Sequence, residues 1–331
     1  MKEKFVSIII PCRDEEKFIA QCLDSIISQD FPKDKLEILI IEGESKDRTK
    51  KIIEDYNKQY PFIKVLNNPK KITPVSLNIG VKAARGKVIM PMGAHAKYGE
   101  KYLSKCVKYL TEFKADNVGG VMRIIPPKDT LLGKAITFVL SNTFGTGDAY
   151  FKTGSEEFRW VVAGFGTCYR REVFDKIGLY NENFVRSQDM EFNLRLKRAG
   201  GKILLVPDIF TYYYPSPNLK EFSYHNFVDG IWATYPFKFI KMPFSLRHYI
   251  PLIFVSTLLG TGLLGFFSLF FLQFFLFIIA LYFLVNLYFS AKIAIKERNI
   301  KLLFVLPLVF TIRHIGYGLG SIYGLLKIII S

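Results

Sequence analysis

The longest uncharged stretch of the sequence constrains the fold more than any other feature. The 43 residues from Tyr249 to Ala291 contain no charged side chain. Because a membrane-spanning helix needs about 20 apolar residues, this stretch predicts two spans, at about 249–268 and 270–291, joined by a short turn near 266–273. The alternative is a buried helical hairpin inside a soluble protein, which the length of the stretch disfavours.

A third apolar stretch, at about 302–328, is interrupted by Arg313 and His314. The sequence leaves open whether this stretch spans the membrane or enters and leaves by the same face. If Leu302 starts a span, Arg313 lies near the middle of the bilayer at roughly 1.5 Å per residue, where an arginine needs a partner or water. The alternative is a broken segment with Arg313 at the interface.

The net charge of the chain is +16. Four basic residues lie between the second and third apolar stretches, namely Lys292, Lys296, Arg298 and Lys301. The positive-inside rule places this loop in the cytosol, and the two preceding spans place the N-terminal domain on the same side. The first apolar run, KFVSIIIP, is too short for a signal peptide. We therefore expect a multi-pass protein of the cell membrane with its N-terminal domain in the cytoplasm.

The basic character of the chain also bears on its partners. A basic surface beside a bilayer suits anionic membrane lipids and phosphorylated substrates. No recognised nucleic-acid-binding motif accompanies the charge, so nucleic acid is not an expected partner. The four cysteines are scattered without a C-x-x-C pair, which argues against a zinc knuckle or a disulfide framework.

The first 120 residues alternate strand and helix patterns. Short apolar runs of buried-strand type occur at VSIII (6–10), LEILII (36–41), FIKVL (62–66) and KVIMPM (87–92). Alternation of this kind predicts βαβ units and a mainly parallel sheet. Because such sheets bind ligands at the carboxyl ends of their strands, the loops 11–16, 42–49 and 91–97 are the expected ligand-binding loops. The first loop lacks the G-x-G-x-x-G pattern of dinucleotide-binding domains, and the P-loop pattern is also missing.

Composition divides the chain into three parts. Residues 1–215 form the predicted α/β domain. Aromatic residues alternate with lysines through the segment 216–248, which predicts amphipathic interfacial helices. Residues 249–331 form a membrane domain with two to three transmembrane helices.

Five sequence blocks together resemble a known family. They read VSIIIPCRDEEKFIAQCLDSIISQDFP, IIEGESKDRT, NPKKITPVSLNIGVKAARG, YRREVFDKIGLYNENF and RSQDMEFNLRLKRAGGKI. In this order they resemble family 2 glycosyltransferases, and above all the membrane-anchored branch typified by the succinoglycan-type exopolysaccharide glucosyltransferases. The resemblance implies a GT-A fold, which is Rossmann-like, and a nucleotide-sugar donor whose anomeric centre is inverted by direct displacement.

The resemblance implies donor-binding positions. They are Pro11, Arg13, Glu15, Glu42, Asp47, Asn78, Gly93 and His95. An acid at position 42 can accept the imide proton of uracil, although the family usually has aspartate there. The alternative for Asp47 is a helix N-cap over RTKKII, and the alternative for Arg13 and Glu15 is a surface ion pair.

The resemblance also places the catalytic base at Asp189, at the start of a helix whose dipole favours the ionised carboxylate. The alternative is an N-cap aspartate with no catalytic task. Candidate acceptor-binding residues are Glu191, Arg195, Trp232, Arg313 and His314.

The usual metal position departs from the family pattern. Most of the family neutralise the leaving diphosphate with Mg²⁺ or Mn²⁺, which prefer oxygen ligands. The resembling proteins carry D-A-H at this position, where this chain has Gly93, Ala94 and His95. His95 would then bind a metal whose other ligands come mainly from the substrate phosphates, or it would bind the diphosphate directly as imidazolium. The alternative is a loop histidine without a functional role. Val162 also stands where the relatives have an acid.

We therefore predict an inverting glycosyltransferase that moves a sugar from a nucleotide sugar, expected to be a UDP-sugar, to a polyprenyl-phosphate- or diphosphate-linked glycan at the cytosolic membrane face. The alternative, motivated by Gly93 and Val162, is a catalytically impaired pseudoenzyme that scaffolds an assembly complex.

Overall fold

The computed structural model describes residues 5–126, 128–162, 165–215, 218–240 and 244–330. The strands are β1 (Val6–Cys12), β2 (Leu36–Glu42), β3 (Ile63–Asn67), β4 (Val88–Pro91), β5 (Lys97–Tyr98), β6 (Asn117–Ile124), β7 (Arg159–Trp160), β8 (Phe165–Arg170) and β9 (Ile203–Tyr213). The helices are α1 (Ile19–Ile27), α2 (Thr49–Gln59), α3 (Thr73–Ala83), α4 (Tyr102–Glu112), α5 (Leu131–Leu140), α6 (Thr143–Thr146), α7 (Tyr150–Thr153), α8 (Arg171–Ile177), α9 (Gln188–Arg198), α10 (Leu219–Thr234), α11 (Ile250–Leu264), α12 (Leu269–Lys296) and α13 (Leu302–Ile330).

The strands belong to one sheet with the order β3-β2-β1-β4-β8-β6-β9-β5, and β7 pairs with β9. The first four strands are parallel, with Val6 of β1 opposite Leu36 of β2 and Val88 of β4. From β8 onward the determined pairings are antiparallel. The α/β class expected from the alternating pattern is confirmed, and the carboxyl ends of β1, β2 and β4 lead into the three loops expected to bind ligand.

Apolar side chains cover the sheet on both faces. Successive residues of β1 point to opposite sides, so Ile8 and Ile10 join the cluster with Leu23 of α1, whereas Ile9 joins the cluster with Leu77 of α3. All three isoleucines of β1 are fully buried. Full burial of one such side chain stabilises a fold by about 1.5–3 kcal/mol, so the isoleucines of β1 contribute strongly to the core.

Strand β2 carries a buried carboxylate near its start. Glu37 of β2 is 1% exposed and accepts hydrogen bonds from Ser7 Oγ (2.6 Å), Arg85 N (2.6 Å) and Arg85 Nε (3.2 Å). Burial by itself raises the pKa of Glu37, but the hydrogen bonds from Ser7 and Arg85 outweigh burial and lower this pKa. Glu37 therefore ties β1, β2 and the turn before β4 together as an ion.

The chain divides into two compact units. One contains Met1–Arg123 and Gly154–Tyr213, and the other contains Ile124–Thr153 and the residues from Tyr214 onward. The helices of the segment 131–153 thus belong to the same unit as the C-terminal helices, although residues of the sheet unit precede and follow them in sequence.

Within the second unit, α10 and α13 touch backbone to backbone. A Cβ atom on Gly320 would lie 2.0 Å from the carbonyl oxygen of Phe227, and one on Gly230 would lie 2.0 Å from that of Tyr317. Small residues permit this close approach of helices. The segment predicted to form interfacial helices therefore contributes α10, a helix that packs along α13.

Among the described residues, two helices are long and apolar enough to cross a membrane, namely α12 with 28 residues and α13 with 29. The expected first span forms the shorter helix α11 of 15 residues, and the turn before α12 covers residues 265–268. α13 continues unbroken through Arg313, so the third apolar stretch is one helix of spanning length.

Candidate active site

Side chains of the first two loops hydrogen-bond each other's backbone. The N–H of Asp14 donates to Ser45 Oγ (3.0 Å), and the N–H of Lys46 donates back to Asp14 Oδ1 (2.7 Å). The N–H of Glu15 donates to Thr49 Oγ1 over 2.7 Å. These reciprocal bonds fix the two loops relative to one another at the carboxyl ends of β1 and β2.

Two candidate donor-binding carboxylates support the same loops. Glu42 is buried, and its two carboxylate oxygens accept the N–H groups of Ser45 (2.6 Å) and Glu44 (3.0 Å). Asp47 accepts the N–H of Thr49 (2.9 Å), the first residue of α2, but Arg48 occupies the N-cap position, so Asp47 supports the start of the helix without being its N-cap. Each carboxylate oxygen has two lone pairs, so both residues keep capacity for a ligand.

A cavity of about 450 Å³ opens at the carboxyl ends of β2 and β3. Its lining consists of Glu42, Glu44, Ser45, Lys50, Val65, Leu66 and Asn67. Small-molecule sites commonly have volumes of about 300–1,000 Å³, and this edge of a parallel sheet is where such sites form. The cavity is therefore of suitable size and position for a nucleoside.

The other first-loop candidates lie beside these loops. Pro11 pairs with Ile41 in the β1–β2 register. The side chain of Arg13 lies against Gly43, since a Cβ at Gly43 would be 3.2 Å from Arg13 Cβ. Arg13 Nε is 3.5 Å from Asp14 Oδ2. Glu15 contacts His95, so the ion pair considered between Arg13 and Glu15 gives way to these other partners.

The loop after β4 presents alternate residues to solvent. Gly93, His95 and Lys97 are exposed, whereas the residues between them are buried. The backbone N–H of Gly93 donates to Tyr98 Oη over 2.7 Å, which fixes this peptide. A Cβ atom at position 93 would meet no non-neighbouring described atom within 4 Å. The absence of an acid here is thus not imposed by a lack of space.

His95 and Glu15 form the charged contact of this exposed face. His95 Nδ1 lies 3.2 Å from Glu15 Oε1, and the two side chains are 54% and 22% exposed. The hydrogen bond with Glu15 raises the pKa of His95 and outweighs the opposing effect of burial. When Nδ1 carries the proton toward Glu15, Nε2 remains for another partner. The pair can therefore present a cation to an anionic ligand.

The donor set fits a hard divalent cation poorly. Across the part of the chain that the structure describes, no group of three or more His, Cys, Asp and Glu side chains could hold a metal ion. At the expected position the described structure brings His95 and Glu15 together, and Mg²⁺ and Mn²⁺ prefer oxygen ligands. The residues present therefore do not form a metal site by themselves.

Asp189 is exposed in the first turn of α9. Ser187, with a φ of 62°, occupies the N-cap position, so Asp189 does not itself cap the helix. At this position the helix dipole stabilises the ionised carboxylate, as a general base requires.

Glu191 and Arg195 bind one another on the opposite, buried side of α9. Glu191 is 3% exposed, and its oxygens accept from Arg195 Nε (2.6 Å) and Nη2 (2.9 Å). Arg195 also donates to the carbonyl oxygens of Ile177 and Leu179. These contacts support the loop between α8 and α9, so the pair positions the helix that bears Asp189.

Asn78 makes a similar internal link. Its amide nitrogen donates to the carbonyl of Tyr180 (2.9 Å), and its amide oxygen accepts the N–H of Tyr180 (2.9 Å). Asn78 is 4% exposed. Asn78 therefore links α3 to the loop before α9.

The remaining candidates belong to the second unit, apart from Val162, which is 50% exposed in the first. Arg313 is buried and donates to the carbonyl of Gly145 and to Asn226 Oδ1. His314 Nε2 is 2.9 Å from the carbonyl oxygen of Phe144, and Nδ1 is 3.0 Å from Tyr282 Oη. The ring of Trp232 packs 5.7 Å from that of Tyr235.

Comparison with known proteins decides the family. A sequence model of the protein family described as Glycosyl transferase family 2 matches residues 7–178 of this chain. The chain belongs to glycosyl transferase family 2. The resemblance seen in the sequence blocks is thereby confirmed, and the chain is a family 2 glycosyltransferase.

Individual family 2 proteins resemble the chain over most of its length. A Methanococcus voltae protein named dolichyl N-acetyl-alpha-D-glucosaminyl phosphate 3-beta-D-2,3-diacetamido-2,3-dideoxy-beta-D-glucuronosyltransferase is 29% identical over 98% of each chain. The succinoglycan biosynthesis protein ExoA of Rhizobium meliloti is 27% identical over 74% of each. A Pyrobaculum calidifontis mannosyltransferase solved with GDP-Man and Mn²⁺ shares the fold, with a TM-score of 0.64, 15% identity and 97% and 87% of the two chains covered. The expected GT-A-like fold is confirmed.

Proposed function

We propose that this glycosyltransferase transfers a sugar, with inversion, from a nucleotide sugar to a glycan carried on a polyprenyl phosphate or diphosphate. The observation that carries the proposal is the joined set of loops at the sheet edge. The loop with Glu15, which contacts His95, is hydrogen-bonded to the loop that follows Glu42 at the cavity. A nucleoside in the cavity would place its diphosphate near this pair of loops.

The acceptor class is drawn from relatives. The Methanococcus voltae protein, similar over nearly the whole chain, is named for a dolichyl phosphate-linked sugar. Two helices of spanning length would keep such an acceptor and the enzyme at the same membrane. A UDP-sugar donor and a cytoplasmic catalytic domain are part of the proposal. A catalytically impaired scaffold is not favoured, because the full-length relative is named as a transferase.

Asp189 is the proposed general base. The acceptor hydroxyl oxygen attacks the anomeric carbon, its proton passes to Asp189, and the bond from that carbon to the diphosphate oxygen breaks. The carboxylate is exposed in the first turn of α9, where the helix dipole favours its ionised form, and the Glu191–Arg195 pair holds that helix in place. A general base acts in the transition state and is not needed for donor binding, so loss of this carboxylate should lower kcat.

His95 is proposed to contact the leaving diphosphate as an imidazolium oriented by Glu15. A cation directed at developing negative charge lowers the barrier most when it is fixed beforehand. Mg²⁺ or Mn²⁺ remains an expected cofactor, since the Pyrobaculum mannosyltransferase was solved with Mn²⁺. The described side chains do not supply its ligands, and no step is assigned to it.

Purified protein in detergent should transfer radiolabel from one of a panel of UDP-, GDP- and dTDP-sugars to a lipid-linked acceptor. Asp189→Asn should reduce kcat by at least about 100-fold, as expected for loss of a general base, and leave the donor KM nearly unchanged. Asp175→Asn, which alters an exposed aspartate on α8, serves as the matched control. Full activity in Asp189→Asn would exclude Asp189 as the base.

A further inference from the structure

A separate group of charged and polar side chains lies in the helical unit. We define the His248 cluster as Asp148, Lys152, Arg247, His248, Arg313 and Tyr317, all of which belong to that unit. Arg247 and His248 immediately precede the apolar helix α11. Ile250 and Ile253, near the start of this helix, are each 63% exposed. The cluster thus combines charge with an adjacent apolar surface.

The hydrogen bonds of Arg247 leave part of its guanidinium available. Nη1 donates to Asp148 Oδ1 over 2.7 Å, and Nε donates to His248 Nε2 over 3.3 Å. Among the described residues, Nη2 has no hydrogen-bond partner. The side chain of Arg247 is 19% exposed, whereas that of Asp148 is 68% exposed. An exposed carboxylate is a weak partner, so a ligand anion can replace Asp148.

The state of His248 leaves a second donor in the cluster. Burial, followed by the charges of Arg247, Lys152 and Arg313, lowers the pKa of His248 to about 3, so the ring is neutral near pH 7. A neutral ring that accepts at Nε2 carries its proton on Nδ1. That proton is donated to Tyr317 Oη, 3.0 Å away. The phenol therefore keeps its own O–H, which has no acceptor among the described residues.

The charges of the cluster favour an anion. Lys152, Arg247 and Arg313 are cations, opposed by Asp148 and by Asp229, which acts electrostatically on Tyr317. Tyr317 is 9% exposed, so an anion that reaches it loses most of its water. Charge-assisted hydrogen bonds are strongest in such surroundings.

We propose that the His248 cluster binds the phosphate of the polyprenyl-linked acceptor, with Arg247 and Tyr317 as hydrogen-bond donors and Lys152 as a supporting charge. The proposal rests on the proposed function and deepens it. The exposed isoleucines of α11 would accompany the prenyl chain, which favours a lipid phosphate over free phosphate. Arg313, bonded to Gly145 and Asn226, acts as a positioning residue between the cluster and α6.

Two variants test the site with the full-length protein. Tyr317→Phe removes only the phenol oxygen, and Arg247→Gln removes the charge. Each should raise the KM for the lipid-linked acceptor on the order of tenfold, with the donor KM unchanged. Tyr323→Phe, on the same helix, and Lys301→Gln, in an exposed loop, are matched controls. An unchanged acceptor KM in Tyr317→Phe, or an equal rise in the controls, would overturn the proposal.

A binding measurement separates this site from the proposed catalysis. Wild-type protein in detergent should bind a short prenyl phosphate at least tenfold more tightly than the uncharged prenol, and Tyr317→Phe and Arg247→Gln should lose this preference even if no sugar transfer is detected. Equal binding of phosphate and prenol would contradict the site. The proposal would also be overturned if phosphatidylglycerol micelles or inorganic phosphate competed as strongly as prenyl phosphate does. The cluster would then bind any lipid headgroup or free phosphate.

Discussion

Nδ1 of His95 lies 3.2 Å from Oε1 of Glu15, although the two residues are 80 positions apart in sequence. Glu15 is itself held in place, because its N–H donates to Thr49 Oγ1. A carboxylate fixed in this way sets the ring orientation and the site of protonation of its histidine partner. The contact therefore orients a loop histidine and raises its pKa, which favours the cationic form of the ring.

His95→Gln should lower kcat on the order of tenfold or more, because an uncharged amide stabilises the leaving diphosphate less than an imidazolium does. It should also weaken binding of the nucleoside diphosphate more than that of the free nucleoside. Calorimetry with both ligands and steady-state kinetics measure these effects. His225→Gln, at an exposed histidine of α10, is the control. Unaltered kcat and diphosphate affinity in His95→Gln would show that this loop does not contact the diphosphate.

Gly93→Asp should fold normally, because a side chain at this position enters open space. The new carboxylate would give the site an oxygen ligand of the kind that Mn²⁺ prefers. We expect Mn²⁺, titrated in the presence of nucleoside diphosphate, to bind more tightly to this variant than to the wild type. Gly93→Asn has nearly the same size without the charge and serves as the comparison. Equal Mn²⁺ affinity in the two variants would argue against a metal at this point of the loop.

Glu37→Gln should destabilise the sheet unit by about 1–3 kcal/mol near pH 7, the usual effect of disturbing buried hydrogen bonds. Because the folded-state pKa of Glu37 is lowered, its contribution exists above the unfolded value of about 4.3. It is lost as the pH falls through the folded value. Thermal melts of wild type and variant should therefore converge at acid pH. Glu54→Gln, on the exposed side of α2, should show no such pH-dependent difference.

Gly320→Val should disrupt the contact between α10 and α13, because its Cβ would overlap the carbonyl oxygen of Phe227. Overpacking of this kind commonly costs about 1–3 kcal/mol, and a clash with backbone leaves little room for adjustment. The measurement is thermal stability in detergent together with size-exclusion behaviour. Gly260→Ala meets no described neighbour within 4 Å and should behave like the wild type. Equal stability of both variants would mean that the helices separate readily.

Periodicity predicted the elements that depend on local patterns. The apolar run of β1 and the loops after β1, β2 and β4 follow from residue types that repeat along the chain. Family resemblance predicts Glu42 as a candidate donor-binding carboxylate, but its hydrogen bonds to Ser45 and Glu44 depend on loop geometry that no sequence period encodes.

Contacts between residues far apart in sequence could not be predicted from the sequence. From the sequence, Arg313 could lie in a spanning helix or in a broken segment at the interface. In the structure its partners are Gly145 and Asn226, which lie 168 and 87 positions away in sequence. The same holds for Glu191 and Arg195. Their spacing permits an ion pair on a helix, yet only burial shows that the pair serves the loop before α9.

The division of the chain into interleaved units also bears on the order in which the protein can be made. Residues 124–153 leave the ribosome before the strands β7–β9 that complete the sheet, and well before α10–α13, on which they pack. In most multidomain proteins each domain folds as a unit during synthesis, beginning with the N-terminal domain. The short helices α5 and α6, which pack on α13, can therefore reach their packed positions only after most of the chain has been translated. Truncation after Tyr213 would remove the helices on which this segment packs.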